Sequence, residues 1–293
     1  METVTLAAGP IDYVDTGGPG PVIVLTHGFP MNHLQWRKVL PLLGDFRCIL
    51  PTLPLGAHRL PMNPGVDLGQ GGQAQILADF LDALELRDVT LVMNDWGGPQ
   101  FLIALGRAQR IARMVFVACE AFDNFPPKRA RPAMRLTRAP GGTWLLMQLL
   151  RMAFFRHSRR TWGALSHTRI PEGVLDQWFA PAQGSRAIRR DLRAFAVGAP
   201  RRRTLLAWSQ ALGEFASPAL IVWASEDLMM PSEHGQRLAD LLPQGRLVEV
   251  HDSGTLIPED QPEELARILC DFLDQDASVP GPSETEAGPR KKR

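Results

Sequence analysis

Short apolar runs alternate with helical spacing along most of the chain. Thr3–Leu6 and Ile11–Val14 read as an opening hairpin, and Val22–Thr26 as a continuous apolar strand. Further strands are expected at Arg47–Leu50, Val89–Met93, Met114–Ala118, Ala219–Ala224 and Leu247–Val250. Helical spacing predicts helices near Gln35–Leu43 and over Gln73–Leu84, Gly98–Gly106, Glu233–Leu242 and Pro262–Leu273. Strands that alternate with helices imply βα units around a mostly parallel sheet. The alternation stops after Ala118. From about Phe122 to Trp208 there are helical pieces only, Trp144–Phe155 the most apolar, broken by Pro126, Pro127, Pro140, Gly141 and Pro171. This stretch reads as an inserted helical cap. The expected division is a core of residues 1–121 and 209–273, a cap of 122–208, and a polar tail of 274–293 that is disordered.

Composition narrows the function. At 293 residues and 45% hydrophobic content the chain can bury one large core. A net charge of +1 gives no field that would attract nucleic acid. No apolar run reaches the length of a membrane span, and the first residues lack a secretory pattern. The three cysteines, Cys48, Cys119 and Cys270, are widely scattered, which suggests a reducing cytoplasm, no disulfide framework and no metal site. The expected partner is a small-molecule substrate, with no nucleic acid and no integral membrane contact, and the expected state is a monomer or homodimer.

The most informative segment is Leu91-Val92-Met93-Asn94-Asp95-Trp96-Gly97-Gly98. It passes from a strand directly into a helical pattern. Such a turn lifts one side chain, here Asp95, above the sheet edge and aims the next backbone N–H at the same point. Gly97 and Gly98 allow close packing behind it. A carboxylate at this point attacks saturated carbon and forms an ester. The plainer alternative is a turn aspartate that caps the following helix.

This segment resembles the haloalkane dehalogenase and epoxide hydrolase branch of the α/β-hydrolases, in which an Asp-Trp-Gly-Gly elbow is common. The resemblance implies an α/β-hydrolase fold, a mostly parallel eight-stranded sheet flanked by helices, with an inserted helical cap. It implies Asp95 as nucleophile, Trp96 as indole donor to a leaving group, and no cofactor. Met93 stands where the family usually has glycine. The loop Thr26-His27-Gly28-Phe29-Pro30 resembles the family's His-Gly-x-Pro loop. By that match Gly28 and Phe29 border the substrate, and the Phe29 and Trp96 amides form an oxyanion pair. His27 reads as a buried structural histidine. Dehalogenases often carry asparagine at the position of Phe29.

The resemblance also implies an acid and a base. Ile221-Val222-Trp223-Ala224-Ser225-Glu226-Asp227 ends a strand with a carboxylate, and Asp227 matches the family's acid. Glu120 and Asp123, after the sixth strand, are the alternatives. The base position falls in Val250-His251-Asp252-Ser253-Gly254-Thr255, where Thr255 stands in place of the histidine. Threonine accepts no proton near neutral pH, so ester hydrolysis should stall. His58 and His251 are the candidate substitutes, with His58 favoured because its loop lies at the carboxyl edge of the sheet.

The cap should select the substrate. Epoxide hydrolases use cap tyrosines, whereas the one tyrosine here, Tyr13, lies in the first hairpin. The stripe of Trp144, Leu145, Met147, Leu149, Met152, Phe154 and Phe155 either lines an apolar pocket or is plain cap core. Arginines crowd the cap while acids are few, which reads first as a solvated basic face. An anionic substrate, an acidic partner or an anionic membrane surface are the sharper readings. The expected function is a hydrolase acting on a small, fairly apolar substrate through an alkyl-enzyme ester. A degenerate binding protein that keeps the pocket and has lost turnover is the alternative.

Overall fold

The computed structural model describes residues 1–95, 98–159 and 161–277. Eight strands form one sheet: β1 (Glu2–Leu6), β2 (Gly9–Asp15), β3 (Val22–Thr26), β4 (Arg47–Pro51), β5 (Val89–Asp95), β6 (Ile111–Cys119), β7 (Ala219–Ala224) and β8 (Gly245–Val250). Their order is β1-β2-β4-β3-β5-β6-β7-β8. The hairpin β1–β2 and the pair β2–β4 are antiparallel, and every other pair is parallel. This is the mostly parallel eight-stranded sheet that the apolar runs predict.

Strand residues alternate between two apolar layers, as a period of two requires. Ile23, Leu25, Val92, Val115, Val117, Leu220 and Val222 point to one face, where they meet Trp36 and α10 (Pro262–Ala277). Val24, Leu91, Met93, Met114, Phe116 and Ile221 point to the other, against α1 (Gln70–Ala83) and the helices between β6 and β7. Those helices are α2 (Arg131–Arg138), α3 (Gly142–Leu149), α4 (Ala153–Arg156), α5 (Glu172–Gly184), α6 (Arg186–Val197) and α7 (Arg202–Ala211). The helix α8 (Ser232–Leu241) joins β7 to β8, and α9 (Ile257–Asp260) precedes α10.

Two expected helices are not α-helices. Gln35–Leu43 is replaced by 3₁₀ turns at His33–Trp36 and Leu40–Leu42. Pro41 removes a backbone donor there and its ring clashes with the carbonyl of the preceding turn. Gly98–Gly106 holds a 3₁₀ turn at Pro99–Leu102. Gly98 and Gly106 are both left-handed, with φ of 66° and 64°, so right-handed helix cannot run through either end of the expected span. Two boundaries also move. Residue 208 falls inside α7, and α10 runs to Ala277, into the stretch expected as tail. Residues 278–293 of that expected tail lie outside the described residues. No described helix is long and apolar enough to cross a membrane.

Candidate functional site

Asp95 ends β5 with φ of 63°, a left-handed value that costs a non-glycine residue energy. The pairing of β5 with β6 breaks register between Asn94 and Asp95, which releases the chain from the sheet at this point. The carboxylate is buried and lies on Gly28. A Cβ at position 28 would sit 2.1 Å from Asp95 Oδ2, so glycine is the residue that admits this arrangement. Phe29 follows, buried and stacked on Phe195 of α6 with centroids 5.7 Å apart. Asp95 and Phe29 line one pocket together with Arg129, Met134, Trp162, Leu165 and Met229. Its volume is about 60 Å³, on a scale where ~10–15 Å³ holds one water, so it suits a ligand of a few heavy atoms. Trp96, expected as leaving-group donor and oxyanion amide, lies outside the described residues.

A chain of buried amides ties the three loops around Asp95. The Gly28 N–H donates to Gln35 Oε1 at 2.9 Å, and Gln35 Nε2 donates to Asn94 Oδ1. Asn94 Nδ2 donates to the carbonyls of Val117 (2.6 Å) and Thr255 (2.8 Å). The Thr255 backbone is thereby fixed to the residue before Asp95. Its hydroxyl donates to Asp227 Oδ1 at 2.7 Å. The same oxygen accepts the amides of Met229 (2.7 Å) and Met230 (3.0 Å). Asp227 Oδ2 is shielded from solvent and has no hydrogen-bond partner among the described residues. Burial pushes this carboxyl up to about 6, against the opposing pull of these three hydrogen bonds.

Glu120 lies immediately beyond β6. Its backbone N–H donates to the Asp95 carbonyl at 3.2 Å, and its Oε1 accepts from Gln70 Nε2 at 2.7 Å. Burial, with the Asp95 charge adding to it, pushes the Glu120 carboxyl well above the usual range. Asp123 instead pairs with Arg202 at 2.6 Å.

The histidines stand elsewhere. His27 is fully buried, and burial lowers it to about 4. Its Nε2 accepts the Leu53 amide at 2.9 Å, so Nδ1 carries the proton and donates to the Gly28 carbonyl, also at 2.9 Å. His58 is likewise occupied at both nitrogens. Nδ1 accepts the Gly56 amide at 3.2 Å, and Nε2 contacts Asp191 Oδ2 of α6 at 3.2 Å. His58 does not line the Asp95 pocket, and His251 is exposed beyond β8. The structure brings together Gly28, Phe29 and Asp95, and separately Thr255 and Asp227, but leaves His58 apart.

The roof of the pocket differs from the expected stripe. Trp144, Leu145, Met152 and Phe154 are exposed, Phe154 at 82%. The pocket is instead roofed by Ala130, Ala133 and Met134 at α2 and by Thr161, Trp162 and Leu165. A clamp holds this second stretch down. Asp260 accepts from Ser166 Oγ (2.6 Å) and from the amides of His167 (3.0 Å), Thr168 (2.7 Å) and Gly254 (3.0 Å). The Leu256 amide donates to the Leu165 carbonyl at 2.8 Å. Asn94 precedes Asp95 and was therefore within view of the motif. Gln35, Gln70, Met134 and Trp162 carry no sequence signal for the site, because long-range packing alone brings them there.

The sheet order, the turn at Asp95 and the helices inserted between β6 and β7 define an α/β-hydrolase. The chain belongs to the α/β-hydrolase fold family, whose sequence pattern matches residues 21–262. Over 272 residues it is 28% identical to haloalkane dehalogenase 2 of Mycobacterium tuberculosis, covering 90% of this chain and 91% of that one. A haloalkane dehalogenase of Mesorhizobium japonicum is 34% identical over 138 residues, 45% of this chain and 44% of that enzyme. The haloalkane dehalogenase DbeA of Bradyrhizobium elkani superposes with a TM-score of 0.76 at 20% identity, covering 95% and 99% of the two chains.

Proposed function

We propose that the protein is a haloalkane dehalogenase-like hydrolase in which Asp95 is the nucleophile and the hydrolytic half-reaction lacks its usual imidazole. One observation carries the reading. A buried carboxylate, held at a left-handed strand end on Gly28, faces a small and largely apolar pocket. An Asp95 oxygen attacks the substrate carbon, and the carbon–halogen electron pair leaves with the halide. The indole of Trp96 is the donor that the family resemblance assigns to that halide. The Phe29 and Trp96 amides are the expected oxyanion donors. Residues 122–208 act as the cap that selects the substrate.

Ester hydrolysis then needs water to add at the Asp95 carbonyl carbon. General-base assistance to that step is typically worth roughly a hundred- to ten-thousand-fold. The Thr255 hydroxyl donates a hydrogen bond to Asp227 and offers no base. Asp227 Oδ2, shielded and without a donor among the described residues, is the atom left for an imidazole N–H at position 255. Both nitrogens of His58 are engaged, which weighs against it as the substitute.

The test is intact mass after incubation with a panel of small haloalkanes. The expected result is a persistent alkyl adduct on the native chain, lost in Asp95→Asn. Thr255→His should convert the adduct into turnover with halide release. A second reading, a binding protein that keeps the pocket and has lost chemistry, is favoured by the same Thr255–Asp227 bond. Absence of an adduct in the native chain, together with no turnover in Thr255→His, would overturn the first reading and favour the second.

A further inference from the structure

The exposed apolar side chains are unevenly distributed. Trp144, Leu145, Met152 and Phe154 fall within one short stretch, and Trp144 and Phe154 are 54% and 82% exposed. Trp144 and Leu145 lie on α3, Arg151 and Met152 in the turn that follows it, and Phe154 at the start of α4. Residues 151–154 are exposed throughout.

Helix α6 packs beside α3. Its inner side, Ile188, Leu192 and Phe195, is buried. Arg186, Arg190 and Arg193 form its outer stripe, which ends at the exposed Val197. Trp144 shares one open groove with Arg186, Arg189, Arg190 and Arg193, and no acidic residue lines that groove. Arg190 pairs with Asp191 at 2.7 Å. Arg189 and Arg193 donate to backbone carbonyls, which leaves their charge in place. Among the described residues no carboxylate pairs with Arg186, Arg189 or Arg193.

From the juxtaposition of Trp144 with this stripe, and the exposed apolar side chains that follow it in the chain, we propose that the outer face of α3 and α6, with the start of α4, is a docking surface for an anionic lipid bilayer. The arginine stripe meets the headgroups, and Trp144, Leu145, Met152 and Phe154 enter the boundary with the acyl chains. Charge decides against a second copy, because a twofold contact would set one arginine stripe against another. Leucine and methionine side chains likewise offer nothing to a phosphate backbone, which argues against nucleic acid. The proposal does not depend on the chemistry at Asp95.

The experiment is co-sedimentation of the full chain with vesicles of phosphatidylcholine alone or mixed with phosphatidylglycerol. The protein should pellet with the mixed vesicles and remain in solution with the neutral ones. Each arginine facing an anionic surface contributes about fivefold in affinity, so Arg186→Gln should weaken binding by about that factor. Arg186→Glu/Arg193→Glu should abolish it. Trp144→Ser/Phe154→Ser should release the protein from mixed vesicles with its melting temperature unchanged. No binding to mixed vesicles would overturn the proposal. So would binding that survives Trp144→Ser/Phe154→Ser, since that marks simple attraction to a polyanion. A dimeric native chain made monomeric by that double substitution would assign the face to a second copy instead.

Discussion

At Asp227, burial and hydrogen bonding act against each other. Burial wins, and the carboxyl stands at about 6 against an ordinary 3.8. A folded-state value above the unfolded one contributes stability that is fully present below about pH 4 and lost as pH rises through 6. A difference of about two units corresponds to roughly 3 kcal/mol. Asp227→Asn keeps an acceptor for Thr255 and the Met229 and Met230 amides while removing the charge. It should therefore raise the melting temperature at pH 7, and the advantage should vanish near pH 4. Thermal melts of the two proteins at both pH values measure this. At Gly28 the effect has the opposite sign. A Cβ would strike the Asp95 carboxylate, so Gly28→Ala should cost roughly 1–3 kcal/mol, readable in urea, and should suppress any adduct at Asp95. The sequence made Asp95, Gly28, Asp227 and Thr255 legible as candidates because each sits at a strand end inside a short local motif. It did not reveal the capture of His58, because Asp191, its partner, lies 133 residues further along the chain.

Strands were more legible than helices for a physical reason. Val22–Thr26 and Ala219–Ala224 are continuous apolar runs, and their expected and observed bounds agree. The two helix failures depend on Pro41 and on glycines whose left-handed conformation the apolar spacing does not register. The apolar spacing of Trp144–Phe155 does correspond to helices α3 and α4, but it does not reveal which way their side chains point. Nor does spacing show the Asp260 clamp, which joins the 166–168 stretch to the loop carrying Thr255. Burial alone would raise the Asp260 carboxyl, but the Ser166, Gly254, Thr168 and His167 donors outweigh it and hold it low. Its contribution is thus present above the ordinary carboxylate range and lost as pH falls through the lowered value. Asp260→Ala should cost roughly 3 kcal/mol, since hydrogen bonds to a charged group are worth about 1.5–3 kcal/mol each and do not add fully. Hydrogen exchange should quicken at the His167, Thr168 and Gly254 amides, and unchanged protection there would refute the clamp.

On the scale of the whole molecule, one sheet separates two apolar layers, and the helices that roof Asp95 interrupt that sheet in sequence but not in space. Strands β6 and β7 are hydrogen-bonded neighbours, yet the first ends at Cys119 and the second begins at Ala219. This gap sets a schedule for synthesis. A ribosome adding about 5–20 residues per second needs roughly 5–20 s to pass from one strand to the next. Throughout that interval β6 is an open edge, apolar from Met114 to Cys119 and lacking β7, the kind of template that recruits other chains. The newborn protein should therefore depend on a chaperone during this window more than before or after it. Stalled nascent chains test this: those in which β6 has emerged and β7 has not should cross-link to a holding chaperone. Lengthening the chain until β8 and α10 have cleared the tunnel should abolish that cross-link.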